Sequence, residues 1–108
     1  TEQTKYNPYF WAEIHHFYGV PYYIYQYATS FASSAQIYNN TTKGSKTEKE
    51  ESLNKYLTLL KSGGNDFPME QLKKAGVDLT QSDTINAVIN QLDEMVDLLA
   101  VEIEKINN

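Results

Sequence analysis

The side chains best suited to chemistry lie close together in the first quarter of the chain. His16 is followed closely by Tyr18, Tyr22, Tyr23 and Tyr25. Phenol O–H and imidazole N–H groups can donate hydrogen bonds to a carbonyl oxygen that gains negative charge during a reaction. The cluster indicates one wall of a binding cleft, whereas any one of these tyrosines alone is more simply interpreted as a packing residue with a satisfied hydroxyl.

No complete catalytic centre is evident in the rest of the sequence. His15 and His16 are adjacent, so their side chains diverge on a helix or a strand and cannot form the pair of zinc ligands that four-residue spacing provides. The chain has no cysteine, no Gly-x-Ser-x-Gly motif and no phosphate-binding glycine loop. We therefore expect this chain to bind no metal by itself, and we expect His15 to be a packing residue.

The tyrosines must be positioned by a turn and a helix. Asn7-Pro8 and Gly19-Val20-Pro21 are typical of turns, so residues 1–20 are predicted to form an irregular or partly extended lead-in, or a strand of a larger sheet. Pro21 suits the first turn of a helix, which predicts a helix over about residues 21–40.

Helical spacing would divide these tyrosines between two faces. Tyr22 and Tyr25 would share one face and Tyr23 and Tyr27 another, so that one pair packs inward while the other lines a cleft. Small residues follow on the same helix and would let a neighbouring helix come close: Ala28, Ser30, Ala32, Ser33, Ser34 and Ala35.

Two further helices are predicted in the middle of the chain. Thr47 and Glu50 offer a capping box for a helix over about 48–61, and Pro68 opens a short helix that Gly76 ends. The first of them carries one apolar face at spacings of three and four: Leu53, Tyr56, Leu57 and Leu60.

A last helix carries the most regular pattern of the chain. Its apolar residues alternate spacings of four and three: Ile85, Ile89, Leu92, Val96, Leu99, Ile103 and Ile106. This stripe is compatible with a coiled-coil seam, but a core-facing helix produces the same spacing. We favour core packing. The chain is thus predicted to be all-α, with about four helices after an irregular lead-in.

Composition excludes some classes of function. The formal charge is −5, the pI is about 4.9, and the nine cations are all scattered lysines, which is unsuited to nucleic-acid binding. No run of about 18 apolar residues could span a membrane. We expect neither nucleic acid nor membrane as a partner, and the lack of cysteine suits a cytoplasmic protein.

The stretch from His16 to Thr29 resembles a known family. His16-Phe17-Tyr18-Gly19-Val20-Pro21-Tyr22-Tyr23-Ile24-Tyr25-Gln26-Tyr27-Ala28-Thr29 is similar to the His-Phe-Tyr-x-x-Pro-Tyr/Phe-Tyr-Val-Tyr-Gln-Tyr-Ala-Thr stretch of oligoendopeptidase F, in the thimet oligopeptidase (M3) family of zinc peptidases. Residues 31–35, 60–68 and 72–78 also look like that family. The similarity runs in order from about Trp11 to the end of the chain.

The resemblance implies a site whose metal lies elsewhere. It implies that residues 1–108 are one helical unit, the C-terminal segment of a zincin-like catalytic domain, in which zinc is bound upstream by His-Glu-x-x-His and a further glutamate. By motif position it implies auxiliary catalytic roles for His16, Tyr22 and Tyr25, which contact the substrate or stabilise the oxyanion. Tyr18 and Tyr23 are carried over as substrate-binding residues.

The expected partners are short peptide substrates and the remainder of the peptidase chain. The first residue is Thr1 rather than methionine, which we interpret as the mark of a segment cut from a longer chain. An alternative is a stand-alone helical module that binds peptides, or assembles, through its tyrosine face and has no catalytic activity.

Overall fold

The structure is a computed structural model that describes residues 9–107, and all of its regular elements are helical. A 3₁₀-helix precedes five α-helices: Phe10–Glu13, then α1 (His16–Gly19), α2 (Tyr25–Thr42), α3 (Lys46–Ser62), α4 (Pro68–Lys74) and α5 (Asp83–Asn107). The predicted all-α class is confirmed.

The lead-in is helical rather than extended, which corrects the prediction for its described part. The 3₁₀-helix and α1 together occupy most of residues 10–19, and residues 1–8 lie outside the described range. Backbone N–H groups of Tyr18 and Gly19 both donate to the carbonyl oxygen of His15, at 3.0 and 2.9 Å. These local hydrogen bonds satisfy the backbone without any partner strand.

The helix predicted to start at Pro21 starts instead at Tyr25. Pro21 and Tyr22 occupy the corner of a tight turn, which is closed by a hydrogen bond of 3.3 Å from the N–H of Tyr23 to the carbonyl of Val20. Tyr22 has a φ of 61°, as the third residue of a type II turn requires, and this value is incompatible with a right-handed helix. Pro21 is therefore part of the turn and not of the helix.

Small side chains hold α2 against α5, as predicted from the α2 sequence. Ala32, Ser33 and Ala35 of α2 are buried, and so are Thr84 and Ala87 of α5. Because these buried side chains are small, the two helices can approach closely there, and α2 also packs against α3. The remaining buried residues are Ala75 and Val77, in the segment that joins α4 to α5.

The link between α4 and α5 is tied back to α2. Gly76 ends the turn after α4 with a φ of 86°, as its predicted role as a helix stop requires. Its carbonyl accepts a hydrogen bond of 3.2 Å from the Asn40 side chain of α2. A Cβ atom at Gly76 would lie 3.3 Å from the same Asn40 nitrogen, so this position combines a left-handed backbone with a close contact.

The capping box of α3 is formed by Ser45 and Glu48, so the predicted pair Thr47 and Glu50 is wrong. The Ser45 hydroxyl accepts from the N–H of Glu48 at 3.4 Å, and the Ser45 N–H donates to the Glu48 carboxylate at 2.8 Å. Both pairs have the same spacing of three residues, so spacing alone does not choose between them. Gly44, directly before Ser45, has a φ of 97°, and this left-handed residue separates α2 from the cap of α3.

The apolar stripe of the last helix, which we call the α5 stripe, is exposed within residues 9–107, so the described chain does not itself form the core packing predicted for it. Its seven residues are 48–82% exposed. The surface of α5 that faces α2 lies beside the stripe and contains Thr84 and Ala87, with Val88 and Gln91 partly buried. The apolar face predicted for α3 is likewise largely uncovered, since Leu53, Leu57 and Leu60 are exposed.

Within residues 9–107, none of the helices has the combination of length and apolar character needed to cross a membrane.

Replacing Ser45 by alanine should lower the free energy of unfolding by about 1 kcal/mol, because the N–H of Glu48 loses its capping acceptor. Thr47→Ala is the matched control. Thr47 lies inside α3, where alanine is the better helix former, so this variant should be neutral or slightly stabilising. Urea unfolding followed by circular dichroism measures both. Equal losses in the two variants would contradict the observed cap.

Asp66 should make folding pH-dependent. The hydrogen bond from Lys74, and then that from the Phe67 N–H, lower the pKa of the Asp66 carboxyl below 3.8. A lowered folded-state pKa stabilises the fold above the unfolded value, and this contribution disappears as the pH falls through the folded pKa. Asp66→Asn should therefore reduce the urea midpoint at neutral pH, and the difference from the parent should shrink as the pH falls below about 5 and through the folded pKa.

The control for this pH series is Asp97→Asn, because Asp97 is exposed and forms no ion pair within residues 9–107. It should not lower the midpoint at either end of the range. A loss for Asp66→Asn that stays constant with pH would mean that the carboxylate charge is not responsible.

Candidate functional site

A groove lies where α1 meets the start of α2. Its volume is about 280 Å³, near the lower end of ligand pockets. We call it the tyrosine groove, and its lining is His16, Phe17, Val20, Pro21, Tyr22, Tyr23, Ile24 and Tyr25. Four of the five predicted site residues are thus brought together: His16, Tyr22, Tyr23 and Tyr25. This lining contains no carboxylate and no ammonium group, so its polar chemistry is that of phenols and one imidazole.

The turn between the two helices decides how the groove is built. Because the chain reverses at Pro21 and Tyr22, the residues before the turn face those at the start of α2. Tyr22 is 91% exposed at the tip of this turn. Left-handed backbone costs a residue other than glycine roughly 1–2 kcal/mol, so the fold holds this tyrosine in position against a local preference.

Tyr22 and Tyr25 do not share a helical face, which corrects the sequence prediction. Tyr22 lies outside α2, whereas Tyr25 is its first residue. Both nevertheless border the same groove, because the turn folds the chain back on itself. Tyr25 is 58% exposed, and its backbone carbonyl accepts a hydrogen bond of 3.3 Å from the Thr29 hydroxyl one turn further along the helix.

His16 belongs to a cluster of rings on the other side of the groove. The His16 and Tyr23 rings are stacked, with centroids 4.9 Å apart and planes 10° from parallel. Tyr27 meets both rings edge-on, at 5.9 Å from His16 and 5.6 Å from Tyr23. We call His16, Tyr23 and Tyr27 the ring stack. His15 stacks on the outer face of His16 at 4.2 Å, which agrees with the packing role expected for it.

Tyr27 is the residue of this cluster that was not predicted to be part of the site. The four-residue spacing of Tyr23 and Tyr27 carried the signal, since it predicted a shared face. The pKa of the Tyr27 phenol is raised, first by the loss of surrounding water and then by its hydrogen-bonding and charge interactions with the Tyr23 phenol.

Tyr18 lies outside the tyrosine groove. It is exposed on α1, and its ring is 6.3 Å from that of Trp11 in the 3₁₀-helix. The structure therefore separates Tyr18 from the other four predicted site residues.

The described residues do not provide a metal site. Across residues 9–107, no group of three or more His, Asp or Glu side chains could hold a metal ion. The two histidine rings lie face to face and do not converge on a common point with carboxylates. The chemistry that this arrangement can perform is hydrogen-bond donation and aromatic contact with a ligand in the tyrosine groove.

Comparison with known proteins shows where this chain belongs. The model of peptidase family M3 matches residues 1–91. The group B oligopeptidase of Streptococcus agalactiae is 36% identical over 105 residues, which cover 97% of this chain and 16% of the relative. An oligoendopeptidase F homologue of Borreliella burgdorferi is 44% identical over 77 residues, covering 71% and 12%. Oligopeptidase PepF of Bacillus subtilis is 38% identical over 93 residues, covering 82% and 13%.

The chain belongs to peptidase family M3, a family of metallopeptidases. The relatives it resembles within that family are named as oligopeptidases and oligoendopeptidases F, which confirms the family indicated by residues 16–29. The chain spans only 12–16% of the length of the three relatives described above. No solved structure matches it.

Proposed function

We propose that this chain is the C-terminal portion of a zinc metallo-oligopeptidase that hydrolyses short peptides in the cytoplasm. His16, Tyr22 and Tyr25 donate hydrogen bonds to the peptide and to the oxyanion that forms at the scissile carbonyl. The convergence of these three side chains on the tyrosine groove, in a chain of peptidase family M3, carries the proposal. Zinc is held by the remainder of the peptidase, and the present chain contributes donors only.

The composition of the tyrosine groove suits this role. A growing negative charge on a carbonyl oxygen is stabilised by donors that are already aimed at it, because no reorganisation is then needed during the reaction. Tyr25 is the first residue of α2, and the backbone of Tyr22 is held in the turn that precedes this helix. The apolar neighbours Phe17, Val20 and Pro21 exclude part of the water that would otherwise compete for these donors.

The surface of α5 supports the view that more protein surrounds this chain. Leu98 follows Ala87 and Gln91 by whole helical turns, so it extends the side of α5 that packs against α2. Leu98 and the neighbouring α5 stripe are both exposed. A two-stranded coiled coil would cover the α5 stripe alone, whereas a larger helical domain covers both sides.

An apolar groove between α2 and α5 points the same way. Its volume is about 630 Å³, and it opens beside the α5 stripe with Phe31, Tyr38, Leu92 and Met95 among its lining residues. Contiguous apolar surface of this kind is uncommon on a monomer and typically marks a contact with other protein. In the three relatives described above, the region that matches this chain is 16% or less of the total length. The rest of such a protein is the partner that we propose for this surface.

Tyr25→Phe in the full-length protein should lower kcat about a hundredfold and change KM little, because the lost hydroxyl acts on the transition state more than on the bound substrate. The assay is steady-state cleavage of a short fluorogenic peptide by the zinc-loaded protein. Tyr38→Phe is the matched control, since Tyr38 lies on the same helix but outside the tyrosine groove. An unchanged kcat for Tyr25→Phe would remove Tyr25 from the proposed mechanism.

Leu99→Asn in the full-length protein should lower the free energy of unfolding by about 3 kcal/mol, because it buries an amide where the remainder of the peptidase covers the α5 stripe. Val101→Asn is the control, as Val101 lies on the polar side of α5 between Asp97 and Glu104. Thermal unfolding at several protein concentrations is the measurement.

The concentration series separates the alternatives. A loss that is the same at every concentration supports coverage by the same chain, whereas a loss that grows on dilution indicates a dimer seam. Tolerance of Leu99→Asn, together with no cleavage of peptides by the parent protein, would favour the stand-alone binding module.

A further inference from the structure

The His16 imidazole is held by ring contacts. Its faces lie against His15 on one side, at 4.2 Å, and Tyr23 on the other, at 4.9 Å. Tyr27 closes the edge of this arrangement at 5.9 Å. His16 is half-buried, so the contacts cover the faces of the ring while part of its rim reaches the tyrosine groove.

Hydrogen bonds do not orient this imidazole within residues 9–107, where its nitrogens have no hydrogen-bond partner. A histidine that acts on a substrate needs a fixed ring plane, and a hydrogen bond from one nitrogen usually fixes it. Here the Tyr23 ring lies 10° from the His16 plane, and a stacked ring limits the rotation of its neighbour. Both nitrogens thereby stay available to a ligand.

Tyr23 is itself fixed on both sides. Its N–H donates to the carbonyl of Val20 at 3.3 Å, and its carbonyl accepts from the N–H of Gln26 at 3.1 Å. Its ring packs against Tyr27 in the first turn of α2, with centroids 5.6 Å apart and planes at 74°. The Tyr23 phenol also interacts with the Tyr27 phenol, which is one of the causes that raise the Tyr27 pKa.

We propose that Tyr23 is a positioning residue, whose ring, backed by Tyr27, fixes the plane of His16 toward the tyrosine groove. This reassigns Tyr23 from the substrate-binding role that the family resemblance implies. The proposal rests on the proposed function, because it gives His16 its orientation for the same peptide substrate. It assigns the Tyr23 ring, and not its hydroxyl, as the functional feature.

The test separates ring from hydroxyl in the full-length zinc-loaded protein. Tyr23→Leu removes the ring and should lower kcat by roughly ten- to a hundredfold with little change in KM, since a small misplacement of a reacting group has costs of this order. Tyr23→Phe restores the ring and should recover most of the lost kcat. Tyr25→Phe differs from Tyr23→Phe, because it removes a hydroxyl that acts in the tyrosine groove. It should therefore lose kcat although its ring is retained.

A double-mutant cycle shows whether Tyr23 acts through His16. In the His16→Ala background, Tyr23→Leu should lower kcat no further, because there is no imidazole left to orient. Equal losses in the two backgrounds would overturn the proposal and indicate a general structural role. So would a Tyr23→Phe variant as impaired as Tyr23→Leu, since the hydroxyl would then be the active group.

An NMR measurement that does not depend on catalysis tests the positioning role of Tyr23 separately from the peptidase function. In histidine-labelled full-length protein, the ring protons of His16, assigned with His16→Gln, should be shifted upfield by the stacked Tyr23 ring. The shift should persist in Tyr23→Phe and become smaller in Tyr23→Leu, where only the His15 ring remains stacked on His16. If the parent protein cleaves no peptide but shows this pattern, the proposed function fails and the positioning role stands. If the His16 shift is the same in Tyr23→Leu as in the parent, the positioning role is overturned whether or not the protein cleaves peptides.

Discussion

The close approach of α2 and α5 is the contact on which the rest of the structure depends. The buried residues of the two helices are all small, namely Ala32, Ser33 and Ala35 of α2 and Thr84 and Ala87 of α5, so the helices can approach closely where these residues lie. The first helical turn of α2 contains Tyr25 and Tyr27. The tight turn before α2 brings the Tyr23 ring into contact with the His16 ring. The aromatic site is therefore positioned by a core of small residues. A larger residue in that core would displace α2 and, with it, the tyrosines at its start.

The core that the described residues form among themselves is small in relation to the apolar surface that they leave open. Its buried apolar members are four alanines and Val77, whereas the α5 stripe and the leucines of α3 remain accessible. Since hydrophobic stabilisation scales with the apolar area removed from water, most of what these long side chains can contribute requires further protein. The tyrosine groove offers hydrogen-bond donors and ring faces, and within residues 9–107 no group of three or more His, Asp or Glu side chains could hold a metal ion.

Several elements could be predicted from sequence because their causes are local. Helix α4 begins at Pro68 and is followed by Gly76 in the left-handed conformation, which no partner element has to impose. The start of α3 was misplaced by two residues because two capping boxes of identical spacing overlap there, and the conformation of Gly44 decides between them. Pro21 was ambiguous for a related reason: proline suits both a helix start and a turn, and the neighbouring Tyr22 took the turn conformation at a local cost.

The sequence by itself determined the helical class, the family and the set of aromatic residues from which the site is built, because these depend on residue types and their order along the chain. Tertiary structure decided which of them meet. Tyr22 and Tyr25 converge through a turn and not through helical spacing, Tyr18 is left outside, and Tyr27 joins His16 through Tyr23. It also decided that α5 packs on its small residues and leaves its regular stripe open, since periodicity identifies an apolar face but contains no information about which partner covers it.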